Sequence, residues 1–203
     1  MQQPNRIPGS WTRVCGIEIN NGRFDAVWAA YDRTADVVYL YAEYSTPLNA
    51  MPIHAAAINS RGTWADSGVD KPGSWIPALI DIDAAGPQQR AGLLQSAQQL
   101  LALGVNIMAC PLDTEVALGE IGNRLQTKRL NVYDTCRGLR AEYQTYRRGE
   151  DGKLPEGFGL IRAAGMVVVN GLCVAVSENK AVADEEAEDD GGPSPIRSST
   201  TGY

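Results

Sequence analysis

The pattern that most constrains the fold is a change of periodicity after the first third of the chain. Three runs rich in β-branched and aromatic residues, at 13–19, 24–32 and 36–44, are separated by the short turn sequences Asn-Asn-Gly (20–22) and Arg-Thr-Ala-Asp (33–36). Strands joined by such short turns form an antiparallel meander. From residue 51 onward, helical patterns alternate with short apolar runs, which is typical of parallel strands covered by helices. The sequence therefore predicts an α/β protein with a mixed sheet.

The later elements can be placed from their spacing and their end signals. Helices are predicted at 51–62, from Pro87 to a stop at Gly104, from Asp113 or Thr114 onward, and at 136–147. Strands are predicted at 76–82, at 105–110 as a buried strand, and at 130–134. The stretch Val-Val-Val-Asn-Gly-Leu-Cys-Val-Ala-Val near residue 170 has the composition of a strand when it is considered alone.

Charge divides the chain into regions. Its 203 residues are 44% hydrophobic, enough for one domain with a core, which we predict at 1–177. Residues 178–203 hold seven acids against Lys180 and Arg197 and are otherwise rich in small and polar residues, so they are predicted to be a disordered acidic tail. Residues 121–149 carry seven bases against two acids. The overall charge of −6 therefore mostly reflects the tail.

Cysteine spacing and the absence of long apolar runs indicate the compartment. The four cysteines are far apart and form no Cys-x-x-Cys pair, so reduced thiols are expected and a zinc site is not. The first residues lack the apolar run of a signal peptide, and no stretch of about 18 apolar residues is present. We therefore expect a soluble protein of a reducing compartment, without a membrane partner.

The residues that could carry chemistry are carboxylates near strand ends. Glu18 lies near the end of the first predicted strand, Asp25 begins the second, and Asp81 and Asp83 end the fourth. Acids at the ends of neighbouring strands can converge on Mg²⁺ or Mn²⁺, which prefer oxygen ligands. Two such ions about 4 Å apart would hold the attacking water and the leaving oxygen of a phosphodiester. The alternative is that these acids are ordinary turn and cap residues.

Long segments of the chain resemble the nuclease domain of phage terminase large subunits, the DNA-packaging motor. The similarity runs in order through Ser10–Tyr44, Ile53–Gly62, Ile76–Gly92 and Thr114–Leu154, and covers roughly residues 11–177. It implies a ribonuclease H-like fold, with a mixed central sheet flanked by helices, and a Mg²⁺- or Mn²⁺-dependent endonuclease site acting on double-stranded DNA. The sequence contains no Walker A motif, so the ATPase half of such a terminase is not expected in this chain.

Carried over residue by residue, the resemblance indicates a changed metal site. The family's first metal-binding Asp falls on Glu18 and the second on Asp81. The third belongs to a helix that corresponds to Phe158–Met166, and there Arg162 stands in place of the acid. The resemblance thus makes 158–176 a packed helix. No Asp, Glu or His lies between 157 and 177, so a shifted alignment does not restore the acid.

Two hypotheses about activity follow. In the first, the domain is a pseudonuclease in which Arg162 neutralises Glu18, Asp25 or Asp81, and it acts by binding DNA or a packaging or capsid protein without a metal. In the second, it is an active endonuclease whose two-metal site is rebuilt from Glu18, Asp25 and Asp81 with Asp83 or Glu115. A guanidinium beside such a site opposes metal binding, since like charges about 4 Å apart cost roughly 4 kcal/mol per unit charge product at an effective dielectric of 20.

The basic segment is the candidate DNA-binding surface. Its predicted contacts with the phosphate backbone are Arg124, Lys128, Arg129, Arg140, Arg147 and Arg148, of which the last two are placed beside the family's site by the resemblance. The alternative is that these side chains are only solvated. The resemblance also implies a phage or prophage protein in the host cytoplasm, with association with the virion left open.

Overall fold

The chain forms a six-stranded mixed sheet with helices on both faces. The structure is a computed structural model and describes residues 7–64, 72–82, 86–146, 157–178, 180–181 and 183–184. The strands are β1 (Thr12–Asn20), β2 (Arg23–Asp32), β3 (Val37–Pro47), β4 (Ala78–Ile80), β5 (Ile107–Ala109) and β6 (Leu130–Val132). Their order across the sheet is β5-β4-β1-β2-β3-β6. The helices are α1 (Met51–Asn59), α2 (Pro87–Ala102), α3 (Thr114–Gln126), α4 (Arg137–Thr145) and α5 (Gly159–Val174).

The centre of the sheet is the predicted meander. β1 and β2 pair antiparallel, with Asn20 opposite Arg23, so the loop between them is only two residues long. Asn21 and Gly22 both have positive φ, 50° and 69°, as the tight hairpin turns that suit a twisted sheet require. β3 continues the meander antiparallel to β2, while β4 joins β1 and β6 joins β3 in parallel. The predicted mixed sheet is confirmed.

The outer strands differ from the sequence prediction in length and burial. The fourth strand, predicted at 76–82, is only Ala78–Ile80, and the fifth, predicted at 105–110, is Ile107–Ala109. The fifth strand is also not buried, because it is the last strand on its side of the sheet, and Met108 and Ala109 are exposed. An apolar run alone does not distinguish an edge strand from a central one.

Two apolar clusters cover the two faces of the sheet. One contains Val14, Val27 and Leu40 from the strands together with residues of α3, α4 and α5. The other contains Cys15, Trp28 and residues of α1 and α2. Successive strand residues point to opposite faces, which explains why neighbours such as Val14 and Cys15 belong to different clusters.

Helix α5 packs directly against β1 and β2. Ten of its 16 residues are buried, among them Ala163, Ala164 and Gly165. At Gly16 of β1, an added Cβ would overlap the backbone carbonyl of Ala163, so only glycine permits this approach of helix and strand. The strand-like composition around residue 170 is therefore overridden by burial between the sheet and α3, and the segment is helical, as the resemblance implies.

The described part of the chain continues past the predicted boundary at residue 177. Residues 178, 180–181 and 183–184 are helical, and Ala181 is buried in the cluster with α1 and α2. The rest of the predicted acidic tail, 185–203, lies outside the described residues. Among the helices that the structure describes, none has the length and apolarity needed to cross a membrane.

Candidate metal centre closed by an arginine

Three buried carboxylates lie at one end of the central strands. Glu18 of β1 is directly opposite Asp25 of β2 in the antiparallel register. The parallel pairing of β1 with β4 sets Ile17 beside Ile80, so the next residues, Glu18 within β1 and Asp81 just after β4, lie side by side. The exposed fractions of Glu18, Asp25 and Asp81 are 7%, 3% and 5%. The structure therefore brings together three of the four acids that the sequence placed near strand ends.

The guanidinium of Arg162 lies between two of these carboxylates. Its Nε donates a hydrogen bond to Glu18 Oε1 at 2.9 Å, and its second terminal nitrogen is 3.9 Å from Asp81 Oδ2. The other terminal nitrogen donates to the Thr114 hydroxyl at 3.0 Å. Arg162 lies in the first turn of α5, where that helix crosses β1, and Thr114 begins α3. One side chain thus connects β1, the end of β4, α3 and α5.

Burial and charge act against each other at Glu18. Burial raises the pKa of this carboxyl, the charge and hydrogen bond of Arg162 lower it, and the charges of Asp81 and Asp25 raise it again, so that the pKa lies above its ordinary value. The single positive charge of Arg162 does not offset the removal of Glu18 from water beside two other acids.

Asp25 has partners of its own. The Ser45 hydroxyl of β3 donates to Asp25 Oδ1, and a terminal nitrogen of Arg23 lies 3.7 Å from the same oxygen. The other carboxylate oxygen packs against Gly159, where an added Cβ would overlap it. Burial raises the pKa of Asp25, whereas Ser45 and Arg23 lower it. Asp25 therefore faces the first residue of α5, next to the ion pair of Arg162.

A fourth acid, Glu142 of α4, was not identified from the sequence. Its carboxylate accepts hydrogen bonds from the backbone N–H groups of Ile161 at 2.9 Å and Leu160 at 3.4 Å, so it caps the start of α5. Burial raises the pKa of Glu142 to about 7, the two N–H donors lower it, and the charge of Asp25 adds to the rise. No local signal marks a side chain that caps a helix 18 residues further along the chain.

The remaining predicted metal ligands are elsewhere or not described. Asp83 lies outside the described residues. Glu115 is exposed in the first turn of α3, where its backbone N–H is capped by Asp113 at 3.0 Å. Thr114, expected only as a cap of α3, instead contacts Arg162.

The described donor set does not fit two divalent cations. Within 7–64, 72–82, 86–146 and the described part of 157–184, no group of three or more His, Cys, Asp and Glu side chains is arranged to hold a metal ion. Two carboxylates that Mg²⁺ or Mn²⁺ would need, those of Glu18 and Asp81, are shared with the guanidinium of Arg162. A guanidinium has only donors and a permanent positive charge, so it takes the place of a cation and cannot ligate one.

Of the four predicted DNA-binding residues that the structure describes, three are held in ion pairs. Arg124 pairs with Glu120 at 2.7 Å and with Asp36 at 3.2 Å, and Arg129 pairs with Asp36 at 2.6 Å. Arg140 pairs with Asp134. Lys128 is exposed, and Arg147 and Arg148 lie outside the described residues.

Arg124 and Arg129 are also far from the carboxylates of Glu18, Asp25 and Asp81. Asp36, their shared partner, belongs to the turn after β2, whereas Asp25 is near the start of that strand. Asp25 is seven positions before the end of β2 at Asp32, which corresponds to about 23 Å of extended strand. Arg124 and Arg129 therefore lie at the opposite end of the sheet from Arg162.

Comparison with solved structures identifies the fold. No protein-family model and no curated protein matches the sequence. The structure is similar to the nuclease domain of the phage P22 large terminase, with a TM-score of 0.70 and 18% identity over 89% of this chain and 91% of that one. It is also similar to the SPP1 large terminase nuclease domain solved with bound Mn, with a TM-score of 0.52 and 13% identity over 79% and 85% of the two chains.

A longer terminase shows the same similarity over part of its length. The large terminase of a thermophilic bacteriophage matches with a TM-score of 0.59 and 12% identity, over 82% of this chain and 42% of the terminase. The chain thus spans less than half of that protein. Together these similarities confirm the predicted architecture: the chain has the ribonuclease H-like fold of the nuclease domains of large terminases.

Proposed function

We propose that this domain serves phage DNA packaging as a pseudonuclease, which binds double-stranded DNA or a packaging or capsid protein and does not hydrolyse DNA. The observation that carries the proposal is the position of Arg162 between Glu18 and Asp81. The fold supports the connection with packaging, and the cation in the centre of the carboxylates is a side chain of the protein itself. The host cytoplasm, or the virion, is the corresponding location.

A divalent ion and the guanidinium of Arg162 would compete for the same carboxylate oxygens. A divalent ion bound by Glu18 and Asp81 would have to displace the guanidinium or stand beside it. At about 4 Å and an effective dielectric of 20, a divalent ion and a guanidinium repel each other by roughly 8 kcal/mol. Displacing the guanidinium instead would break its hydrogen bonds to Glu18 and Thr114. Both routes weaken metal binding.

The alternative is an endonuclease with a rebuilt two-metal site. The observation in its favour is that Glu18, Asp25 and Asp81 are all buried at one end of the sheet, with a single Arg162 among them. On this hypothesis Mg²⁺ or Mn²⁺ is held by Glu18, Asp81 and Asp83, Asp25 assists the chemistry, and Arg162 turns outward.

Nicking of supercoiled plasmid in millimolar Mn²⁺ or Mg²⁺ distinguishes the two hypotheses. We expect no cleavage by the wild type above that of a matched Glu18→Ala, Asp81→Ala double variant. Metal-dependent nicking by the wild type that is lost in the double variant would establish the endonuclease. Glu120→Ala is the control, because this acid is paired with Arg124 on α3, away from the carboxylates.

Binding of the protein to double-stranded DNA is measured separately, by fluorescence anisotropy of a labelled duplex over a series of salt concentrations. We expect weak affinity that falls with salt, since contacts with phosphates release counterions. Replacing Lys128, Arg147 and Arg148 by Ala should weaken binding more than replacing Arg124, Arg129 and Arg140, which are already paired with Asp36 or Asp134. Affinity for the duplex that depends neither on salt nor on these residues would contradict a DNA-binding role for the basic segment.

A further inference from the structure

Three aromatic rings are in contact on one face of the sheet. The ring centroids of Trp11 and Tyr39 are 4.8 Å apart with an interplanar angle of 27°, and those of Tyr39 and Tyr133 are 6.0 Å apart at 69°. All three residues are half-buried, and neither apolar cluster of the described residues contains any of them. The three rings therefore form one partly exposed surface, which we call the aromatic stripe.

The strand register assigns the aromatic stripe to the face that α1 and α2 partly cover. Val38 and Leu40, on either side of Tyr39, belong to the cluster with α3, α4 and α5, so Tyr39 points to the opposite face. On that face the register sets Arg13, Ala30 and Tyr39 side by side in β1, β2 and β3. Because Ala30 has only a methyl group, no large side chain separates Arg13 from the stripe.

Two arginines lie beside the aromatic stripe. The guanidinium of Arg61 is 5.3 Å from the centroid of the Trp28 ring, and only β3 lies between the strand of Trp28 and β6, which Tyr133 follows. Burial raises the pKa of the Tyr41 hydroxyl in β3, whereas the charges of Arg13 and Arg61 lower it. Both positive charges therefore act on the same hydroxyl, next to the stripe.

The fold uses few of the hydrogen-bond donors of these two arginines. In the described part of the chain, no carboxylate lies within 4 Å of the exposed Arg61 guanidinium. Arg13 Nε is buried and has no hydrogen-bond partner among the same residues. One terminal nitrogen of Arg13 is 3.4 Å from the Ile7 carbonyl oxygen and 3.8 Å from Glu178 Oε2. Glu178 thus offsets only one of the two positive charges, and donors remain for an anion.

A cavity of about 530 Å³ opens beside Arg13 and is lined by Ile7, Pro8, Gly9, Arg13 and Glu178. The backbone N–H of Trp11 donates to the Pro8 carbonyl, so the turn that forms one wall of the cavity also carries the first ring of the stripe. Sites for small ligands typically have volumes of about 300–1,000 Å³. The cavity therefore has room for one nucleotide next to the stripe.

We propose that the aromatic stripe and the two arginines bind single-stranded nucleic acid. Unpaired bases stack on Trp11 and Tyr133, and the phosphates between them contact Arg13 and Arg61. Aromatic side chains accept any base by stacking, and guanidinium groups pair with phosphate oxygens. A duplex supplies phosphates but keeps its bases paired, and a proline-rich peptide supplies apolar surface without an anion. A single strand supplies a free ring and an anion in every residue.

This site is separate from the carboxylates and goes beyond the proposed function. Trp11 and Arg13 lie at the start of β1, whereas Glu18 is near its end. Binding of a single strand here requires neither Arg162 nor the basic segment 121–149. The two proposals can therefore fail independently.

Fluorescence anisotropy of a short labelled oligo-dT and of a duplex of the same length tests the stripe. We expect the full chain to bind oligo-dT more tightly than the duplex. Trp11→Leu and Tyr133→Leu keep an apolar side chain but remove the ring. Each should weaken binding of oligo-dT by about fivefold or more and leave binding of the duplex unchanged. Oligo-U of the same length distinguishes RNA from DNA as the source of the strand.

Arg61→Gln tests the phosphate contact. It should weaken binding of oligo-dT and reduce the slope of log affinity against log salt by about 0.7, the value for one phosphate contact on a single strand. The two leucine variants should keep the wild-type slope. Arg90→Gln is the matched control and should change neither quantity. Arg90 is an exposed arginine of α2, next to Gln89, whose amide contacts Asn20 at the other end of β1 from Arg13.

Circular dichroism confirms that each variant is folded, and Arg61→Gln provides a test even if a leucine variant is not, because Arg61 is exposed. Oligo-dT that binds no more tightly than the duplex, or binding that none of the three variants weakens, would overturn the proposal. A wild type that binds a labelled proline-rich peptide and no oligonucleotide would overturn it as well. Failure of the duplex to bind, with oligo-dT still bound through the stripe, would count against binding of double-stranded DNA alone.

Discussion

Arg162 Nε lies 2.9 Å from Glu18 Oε1, and this bond joins the fourth residue of α5 to the end of β1. The same guanidinium approaches Asp81 and bonds Thr114, so the ion pair is part of the packing between the sheet and two helices. A domain that held metal ions at this position would depend on them for the same connection. Here the guanidinium of Arg162, a cation that belongs to the chain itself, provides the connection between the sheet and the two helices.

Arg162→Ala should destabilise the domain, because it leaves Glu18 and Asp81 buried without their shared cation. Breaking a buried pair costs about 3–5 kcal/mol, and we expect the lower end of this range since 21% of the Arg162 side chain is exposed. The measurement is urea unfolding at pH 7. Arg129→Ala is the control, as its pair with Asp36 is on the surface and should be worth about 0–1 kcal/mol. Equal losses in the two variants would contradict the structural role of Arg162.

Arg162→Asp should make stability depend on metal. Without a divalent ion the new acid repels Glu18 and Asp81, so the melting temperature should fall below that of Arg162→Ala. Millimolar Mn²⁺ should restore part of the loss by binding the folded state, while the wild type and Arg162→Ala should respond less. Melting curves with Mn²⁺ and with a chelator provide the comparison. An Arg162→Asp variant that is indifferent to Mn²⁺ would show that these carboxylates cannot form a metal site.

Glu142 should make stability fall as the pH rises through neutrality. Its folded-state pKa is raised to about 7, chiefly by burial, above the ordinary value of 4.5. A carboxyl with a raised pKa contributes stability that is fully present below its unfolded pKa and is lost as the pH rises through the folded pKa, because the folded state holds the proton more tightly. Burial raises the pKa values of Glu18 and Asp25 as well, so they act in the same direction.

Glu142→Gln isolates this contribution. The amide oxygen can still accept from Ile161 N but carries no charge. The melting temperature of the variant relative to the wild type should therefore rise between pH 5.5 and 8.5, by an amount equivalent to about 1 kcal/mol after allowance for partial exposure. Glu120→Gln, which changes an acid of α3 that is paired with Arg124, controls for the general effect of removing a negative charge. A difference from the wild type that does not change with pH would exclude Glu142 as the titrating group.

Gly16→Ala should be strongly destabilising, although both residues are small. The new methyl group would overlap the carbonyl of Ala163, which belongs to helix backbone and cannot rotate away. Overpacking of this kind typically costs about 1–3 kcal/mol, and we expect the upper end. Gly92→Ala on α2 is the matched control, since nothing lies within 4 Å of its added Cβ, and it should stabilise the helix by up to about 1 kcal/mol. Chemical unfolding gives the free energy of unfolding of both variants. A Gly16→Ala variant as stable as the wild type would contradict the close approach of α5 and β1.

Deleting residues 185–203 should strengthen binding to DNA without lowering the melting temperature. The deletion removes five acids and one arginine, which lessens repulsion of the phosphate backbone. Replacing the five acids by their amides is the control for charge at constant length and should give the same gain. A longer deletion, from residue 180, should be destabilising because it removes the buried Ala181. Unchanged anisotropy titrations after neutralisation would show that the acids do not oppose DNA.

The elements that could be predicted from the sequence are those specified by local signals. The turn at Asn21 and Gly22 and the alternation in β1–β3 define the meander by themselves. The edge position of β5 could not be predicted, because burial of an apolar run depends on which strands lie beside it. The helical state of 158–176 required the resemblance, since its valines favour strand locally and only packing against Gly16 and α3 decides otherwise.

The candidate site was predictable in its members and only partly in its contacts. Glu18, Asp25 and Asp81 could be named from their positions at strand ends, and Arg162 from the order of residues in the resemblance. That Arg162 would bond Glu18 and Thr114, with Asp25 held instead by Ser45, depends on distances among five elements, which local sequence signals do not specify. The contact of Glu142 with the start of α5 could not be predicted for the same reason.

The position of α5 in the chain has a consequence for folding during synthesis. All six strands precede it, so a nascent chain that has emerged as far as Thr145 already contains the complete sheet. One face of that sheet, with Val14, Val27 and Leu40, then still lacks the helix that covers β1 and β2. Because transiently exposed apolar faces promote aggregation, the interval before residue 174 leaves the ribosome is when this protein most needs a chaperone.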